Sequence, residues 1–172
     1  MFSVSEASVA VITGGSSGIG LNAARALRDR GLNVYELSRR AENAEPGVTH
    51  LQADVTDETQ VNAAVAEILR REGRIDILIN NAGFGVCGSL LETDPAKEEE
   101  MVQVNVAAMR RLFQFMLRRM QAQGGGTILN VASSAGLLPG GPYMAGYYAS
   151  KAYVVSLTRG VARELQELHS PV

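Results

Sequence analysis

The sequence lacks several features that would indicate particular classes of protein. It contains one cysteine, Cys87, so a disulfide framework is excluded and a reducing compartment is expected. The net charge is −2 and lysines and arginines form no run, which argues against a nucleic-acid partner. No apolar run reaches the length of a bilayer, and residues 1–6 lack the pattern of a signal peptide. We expect a cytoplasmic protein without a membrane partner.

Aromatic and histidine residues are also scarce. Aromatic residues make up 5% of the chain, and tryptophan is absent. The two histidines, His50 and His169, have no other metal-ligating residues at a suitable spacing in the sequence. Both are therefore expected at the surface, and no metal site is predicted. Cys87 is expected as a part-buried loop residue. The 172 residues, 46% of them hydrophobic, suit one domain with one sizeable core.

Short apolar runs alternate with helical patterns along the whole chain. The predicted strands are 8–12, 33–37, 48–51, 75–79 and 127–131. The predicted helices are about 19–30, a segment capped by Thr56 or Asp57 that ends at Gly73, 97–121 and 147–168. This order predicts right-handed βαβ units and a parallel sheet. We expect one α/β domain over 1–172, with a Rossmann-type doubly wound sheet of about five strands between two helical layers.

A glycine-rich segment, 13–20, lies between the first predicted strand and the first predicted helix. Glycines permit a tight turn there, and a helix N-terminus offers backbone N–H groups to a phosphate. The spacing of Gly14, Gly18 and Gly20 differs from the commoner Gly-x-Gly-x-x-Gly pattern. It resembles the short-chain dehydrogenase/reductase family, and the resemblance extends from about Val9 to the end of the chain.

The end of the second predicted strand indicates which dinucleotide is bound. In such sheets an acidic residue at this position holds the 2′-hydroxyl of NAD. Here the position is Ser38, followed by Arg39 and Arg40, and Glu36 comes two residues too early. A guanidinium binds a 2′-phosphate bidentately, whereas a carboxylate would repel it. The sequence therefore predicts NADP(H) in preference to NAD(H).

The resemblance adds two further segments to the nucleotide site. It places Asp54 near the adenine, although an acidic residue ahead of a helix cap would look the same. It also identifies Asn81-Ala82-Gly83 as a motif that lines the cofactor, with Asn81 tying neighbouring strands together. The predicted cofactor-binding residues are Gly14, Ser16, Ser17, Gly18, Ile19, Gly20, Ser38, Arg39, Arg40, Asp54, Val55, Asn81, Ala82, Gly83, Tyr147 and Lys151.

Tyr147 and Lys151 lie four residues apart at the start of a predicted helix, so their side chains share one face. A phenol releases its proton poorly at neutral pH, but a nearby ammonium and a positive nicotinamide stabilise the phenolate. The resemblance selects Tyr147 rather than Tyr148 as the catalytic residue. It also implies that Lys151 holds the nicotinamide ribose.

The resemblance implies two further catalytic residues. A hydroxyl is needed to polarise the reacting oxygen. Counting back from Gly136 gives Ser133, whereas counting back from Tyr147 gives Ser134. An extra glycine in the following loop favours Ser133, and either hydroxyl could instead cap the loop. Asn105 matches the residue that bends the long helix and holds a water in the proton relay to Lys151.

Together the resemblance implies hydride transfer between a nicotinamide and a carbonyl or secondary alcohol of a small molecule, in a homodimer or homotetramer. Members of the family continue for several tens of residues, which form further strands and a substrate-binding segment. We therefore expect this chain to be truncated relative to the family. The alternative is an NADP(H)-binding or scaffold protein with impaired catalysis.

Overall fold

The structure, a computed structural model, describes residues 8–42 and 45–172. Its strands are β1 Val9–Thr13, β2 Asn33–Ser38, β3 Val48–Gln52, β4 Ile77–Asn80 and β5 Thr127–Asn130. Its helices are α1 Gly18–Arg28, α2 Glu58–Glu72, α3 Pro95–Val102, α4 Met109–Ala122 and α5 Ala145–Glu167. A π-helical segment, Gln103–Ala108, joins α3 to α4, and a 3₁₀ turn spans Ser134–Gly136. Each predicted strand is present, with its ends shifted by two residues at most.

The five strands form one parallel sheet in the order β3-β2-β1-β4-β5. The chain builds outward from β1 to β3 on one side and from β4 to β5 on the other. The order therefore reverses between β1 and β4. In open α/β sheets a crevice forms at such a point, beyond the carboxyl ends of the strands.

The central strands are buried on both faces, which explains their continuous apolar sequences. All five residues of β1 are buried. Alternate residues of a strand point to opposite faces. Accordingly Val9 and Val11 belong to one apolar cluster, with Ile68 of α2 and Met116 of α4. Ala10 and Ile12 belong to a second cluster with Ala24 of α1. The two clusters lie on opposite faces of the sheet, so helices cover both faces and the fold has the three layers that were predicted.

Local signals set the ends of the helices. Asp57 caps α2, because its carboxylate accepts from the backbone N–H groups of Thr59 and Gln60 at 2.9 and 3.1 Å. This settles the choice between Thr56 and Asp57. Gly73 ends the helix in the left-handed conformation. The predicted helix 97–121 is longer at both ends than expected and is divided by the π-helical segment.

The edge of the sheet formed by β5 is more exposed than the central strands. Within the described ranges β5 pairs with β4 alone, and Leu129 is 53% exposed. Across the same ranges the helices are all too short or too polar to cross a membrane.

Candidate nucleotide-binding and catalytic site

A cleft of about 530 Å³ opens beyond the carboxyl ends of β1 and β4. It is bounded by the glycine-rich loop after β1, the end of β2, the turn after β3, the loop after β4 and the start of α5. The predicted cofactor residues that line it are Gly14, Ser16, Ser17, Gly18, Ile19, Ser38, Arg39, Arg40, Asp54, Val55, Asn81, Ala82, Gly83, Tyr147 and Lys151. Segments far apart in sequence thus converge on one cavity.

Gly20 is the predicted cofactor residue that the cleft does not include. It is buried, and a Cβ there would lie 2.3 Å from the carbonyl oxygen of Gly14 and 2.5 Å from Nδ2 of Asn81. Its position therefore allows α1 to pack closely on the strand ends.

The first turn of α1 faces the cleft with free space around it. Ser17 is the N-cap, and its side chain makes no capping hydrogen bond. Gly18 has φ +54°, and no atom lies within 4 Å of the position a Cβ would take. The first N–H groups of a helix have no partner within the helix. This geometry fits a phosphate group held by backbone N–H groups.

The end of β2 brings Ser38, Arg39 and Arg40 to the cleft. Glu36 is completely buried inside the sheet and is absent from the cleft lining, so it does not take the position of an NAD-selecting acid. Arg39 Nη1 lies 3.1 Å from Oε1 of Glu100 on α3, and both side chains are largely exposed. The arginine thus has an acidic neighbour on α3.

His50 is not the surface residue expected from the sequence. Its side chain is 13% exposed and contacts the Glu36 carboxylate through Nδ1. His169 is exposed, as expected. Cys87, expected to be part-buried, is exposed. Among the described residues no group of histidine, cysteine and acidic side chains is arranged to hold a metal ion.

Asn81 joins the loop after β4 to the end of β1. Its Nδ2 donates to the carbonyl oxygens of Thr13 and Gly14, both at 3.1 Å. The Oγ1 of Thr13 in turn accepts from the backbone N–H groups of Asn81 and Ala82 at 3.0 Å. These bonds fix two walls of the cleft relative to each other.

Asp54 lines the cleft and also organises its own turn. Its Oδ1 accepts from the backbone N–H of Thr56 at 2.8 Å and from the Thr56 hydroxyl at 2.7 Å. Asp54 thus lies ahead of the α2 cap and also lines the cleft, and its place near the adenine remains a prediction.

Asn105 lies within the π-helical segment and is 2% exposed. Its amide accepts from the backbone N–H of Phe84 at 3.1 Å and donates to the Phe84 carbonyl at 2.8 Å. Nδ2 also donates to Ser150 Oγ at 3.1 Å, and that hydroxyl donates to the Tyr147 carbonyl at 2.8 Å. Asn105 thus connects the long helix, the loop after β4 and α5, although it does not line the cleft.

Lys151 and Tyr147 both face the cleft from the first turns of α5. The lysine is only 6% exposed, and its Nζ donates to the Val131 carbonyl at 3.0 Å. Burial lowers the pKa of Lys151 below its usual value, because a charged ammonium loses hydration there. Nζ lies 5.9 Å from the centre of the Tyr147 ring. A Cβ at Gly83 would approach Nζ to 3.4 Å, so the glycine leaves room for the ammonium.

Neither candidate serine lines the cleft, which is bounded here by Val131 and Ala132. Ser133 is half-buried, whereas Ser134 is exposed and begins the 3₁₀ turn. Ser133 Oγ caps that turn by accepting from the backbone N–H of Ala135 at 3.2 Å. Because the oxygen is the acceptor, its hydroxyl hydrogen is available to donate elsewhere.

Sequence reasoning missed the apolar part of the lining. The missed residues are Leu37, Ala53, Phe84, Val104, Val131 and Ala132. Most are immediate sequence neighbours of a residue that was predicted, which is the signal that could have identified them. Apolar side chains are expected in such clefts, where a few polar groups fix the orientation of the ligand.

The parallel sheet and the cleft at its reversal point define a nucleotide-binding α/β protein of Rossmann type. The model of the short chain dehydrogenase family matches residues 8–169. The chain therefore belongs to that family. A 3-ketodihydrosphingosine reductase of Bacteroides thetaiotaomicron is 35% identical over 167 residues, covering 95% of this chain. The chain spans 61% of the length of that relative.

Solved structures agree with this assignment. A short chain dehydrogenase/reductase from Burkholderia phymatum in complex with NAD has a TM-score of 0.89 and 31% identity, covering 96% of this chain and 62% of that one. A gluconate 5-dehydrogenase from Burkholderia cenocepacia in complex with NADP and tartrate has a TM-score of 0.82 and 34% identity, covering 91% and 65%. Proteins similar to this chain thus bind either dinucleotide.

Proposed function

We propose that this chain is the nucleotide-binding and catalytic part of an NADP(H)-dependent oxidoreductase that interconverts a carbonyl and a secondary alcohol. One observation carries the proposal. A single cleft brings together an open helix N-terminus, two arginines at the end of β2 and the Tyr147–Lys151 pair. The proposed phosphate site, the proposed 2′-phosphate site and the proposed proton donor therefore share one cavity.

The preference for NADP(H) rests on the residues at the end of β2. Ser38 leaves the position without a carboxylate, and Arg39 and Arg40 lie beside it in the cleft. A guanidinium can bind a phosphate through two parallel hydrogen bonds. Since similar structures contain NADP or NAD, these side chains are the basis for choosing between them.

The proposed chemistry divides between the cofactor and the chain. When bound, the nicotinamide supplies or accepts the hydride. In the reductive direction Tyr147 gives its hydroxyl proton to the substrate oxygen. Ser133, which directly follows the cleft-lining Ala132, turns its hydroxyl toward the cleft and donates a hydrogen bond to that oxygen. Lys151 stabilises the resulting phenolate and holds the ribose. Asn105 keeps the loop after β4 and the start of α5 in place around the reacting atoms.

We propose an apolar substrate from the composition of the loops after β4 and β5, whose first residues line the cleft. The loops after β4 and β5 are joined by a hydrogen bond of 2.8 Å from the Gly88 N–H to the Tyr143 carbonyl. Both loops carry exposed leucines, namely Leu90, Leu91, Leu137 and Leu138. One similar protein is named as a 3-ketodihydrosphingosine reductase, which supports a ketone as the reacting group.

The assembly and setting of the protein are part of the same proposal. A homodimer or homotetramer is proposed from family membership alone, and light scattering on the purified chain would test it. The exposed single cysteine suits a reducing, cytoplasmic setting.

The first test is binding. Fluorescence titration with NADPH and with NADH should give saturable binding that favours NADPH. Equal affinity for both would contradict the NADP(H) preference, and binding of neither would contradict the assignment of the cleft.

The second test is catalysis, measured as oxidation of NADPH with a panel of apolar ketones. Tyr147→Phe should lower turnover about 10²–10⁴-fold, because the proton donor is lost, and should leave NADPH binding almost unchanged. Tyr148→Phe is the matched control, since it removes the adjacent hydroxyl and should retain activity. NADPH binding without turnover by the wild type would favour the alternative, a nucleotide-binding protein without catalysis.

A further inference from the structure

A histidine–glutamate pair lies beneath the part of the cleft that carries the two arginines. Glu36 on β2 and His50 on β3 are register partners in the parallel ladder. Glu36 is fully buried, and the His50 side chain is 13% exposed. The glycine-rich loop packs directly on this pair, because a Cβ at Gly15 would lie 2.6 Å from Cβ of Glu36. A buried acid therefore sits under two elements of the nucleotide site.

His50 connects this pair to the backbone of the arginine turn. Its Nδ1 contacts Oε1 of Glu36, and its Nε2 lies 3.0 Å from the carbonyl oxygen of Arg40. Ser38 also donates to Oε1 of Glu36, at 3.3 Å. The imidazole thus bridges a fixed buried group and an exposed turn.

Both nitrogens of His50 face oxygen atoms. The ring nitrogen that carries a hydrogen donates it to the oxygen atom that the nitrogen faces. The arrangement orients the ring, as a carboxylate does for many functional histidines.

A second side chain of β3 holds the same turn. Gln52 Nε2 donates to the Arg39 carbonyl at 3.2 Å, and the Ala53 N–H donates to the Ser38 carbonyl at 2.9 Å. The carbonyls of Ser38, Arg39 and Arg40 are therefore all bound from β3 or the residue that follows it. The arginine side chains themselves are exposed, so the backbone beneath them is the part that the protein fixes.

We propose that His50 is a positioning residue for cofactor specificity, which holds the Arg39–Arg40 turn in the conformation that receives a 2′-phosphate. The inference rests on the proposed NADP(H) preference. A turn fixed before binding loses less conformational freedom when the phosphate arrives. Loss of the contact should therefore weaken NADPH binding and leave NADH, which has no 2′-phosphate, almost unaffected.

Two isosteric substitutions separate the two contacts of the ring. In His50→Asn the amide replaces Nδ1 and can reach Glu36 but not Arg40. In His50→Gln the amide replaces Nε2 and can still donate to the Arg40 carbonyl. We expect His50→Asn to raise the Kd for NADPH about 3–10-fold, as for one lost hydrogen bond, with the Kd for NADH changed by less than about 2-fold. His50→Gln should keep most of the NADPH preference.

The outcomes are distinguishable from each other. If the wild type binds NADPH and NADH equally, the proposed cofactor preference fails and the inference fails with it. If the wild type prefers NADPH and His50→Asn keeps the full preference, or weakens both cofactors equally, only the inference is overturned. If His50→Asn does not fold, Gln52→Ala tests the same turn from an exposed position. It should weaken NADPH about 2-fold and spare NADH, and unchanged NADPH binding would contradict the inference.

Discussion

The two sides of the cleft are built differently. On the nucleotide side, β1 and β4 are buried along their whole length, and the loops above them are joined by the bonds of Asn81 to Thr13 and Gly14. On the reaction side, β5 alternates between exposed and half-buried residues. Among the described residues Ser133 forms hydrogen bonds only within its own turn. Nucleotide binding thus rests on strands that are fully buried, whereas the reaction side includes a strand that is partly exposed.

This difference implies that binding and catalysis are separable properties of the chain. A nucleotide can be held by groups whose positions the core fixes. In the proposed mechanism the reacting oxygen is placed by Tyr147 and Ser133, and the loop after β5 that contains Ser133 also carries the exposed Leu137 and Leu138. Three measurements test this difference between the two sides of the cleft.

The largest expected effect is on stability. Leu78 of β4 is fully buried, so Leu78→Ala should lower the free energy of unfolding by about 2–5 kcal/mol. Leu129 of β5 is 53% exposed, so Leu129→Ala should change it by no more than about 0.5 kcal/mol. Urea unfolding of both variants measures this. Equal losses would mean that β5 is as well covered in solution as β4, and the comparison would fail.

A smaller effect is expected at the Arg39–Glu100 pair. Exposed ion pairs are worth about 0.2–1 kcal/mol, so Glu100→Gln should free Arg39 and tighten NADPH binding by up to about 5-fold. NADH binding should not change, because it has no 2′-phosphate. Glu99→Gln, at the exposed neighbouring position, is the matched control. Tighter binding of both cofactors, or of neither, would show that Glu100 does not compete for the arginine.

The smallest effect is the pH dependence due to Lys151. Burial lowers its pKa in the folded chain below the ordinary 10.5. Between these two values the unfolded chain binds more protons, so the free energy of unfolding rises with pH through that window. Lys151→Met removes this contribution. In urea unfolding from about pH 7 to about pH 10, the wild type should gain stability relative to the variant. A constant or declining difference would exclude the burial effect.

The positions of the strands and most of the polar cleft lining follow from patterns that the sequence carries directly. The run Val9–Ile12 predicts a buried strand, and the glycines after it predict the turn into α1. Ser38 and Arg39 could be located because their position is counted from the end of a strand. In each case a local sequence pattern identifies the residue, and the sheet then brings these residues to the same cleft.

The environment of His50 could not be predicted in the same way. A histidine in a short strand looks like a surface residue, and its burial depends on pairing with Glu36 fourteen residues earlier. The cap formed by Ser133 and the pair formed by Arg39 and Glu100 likewise depend on packing between distant segments. Side-chain contacts of this kind depend on tertiary structure, whereas periodicity and spacing in the sequence predict secondary structure.

The π-helical segment Gln103–Ala108 has a consequence for how the long helix faces the rest of the molecule. A π turn contains one residue more than an α turn, and each residue rotates a helix by about 100°. The helix before the segment therefore has a different angular phase from the helix after it. Met101 of α3 packs against Gly146 at the start of α5, whereas Met116 of α4 packs into the core beneath the sheet. The two halves of the long helix, α3 and α4, therefore present their apolar side chains to different neighbours.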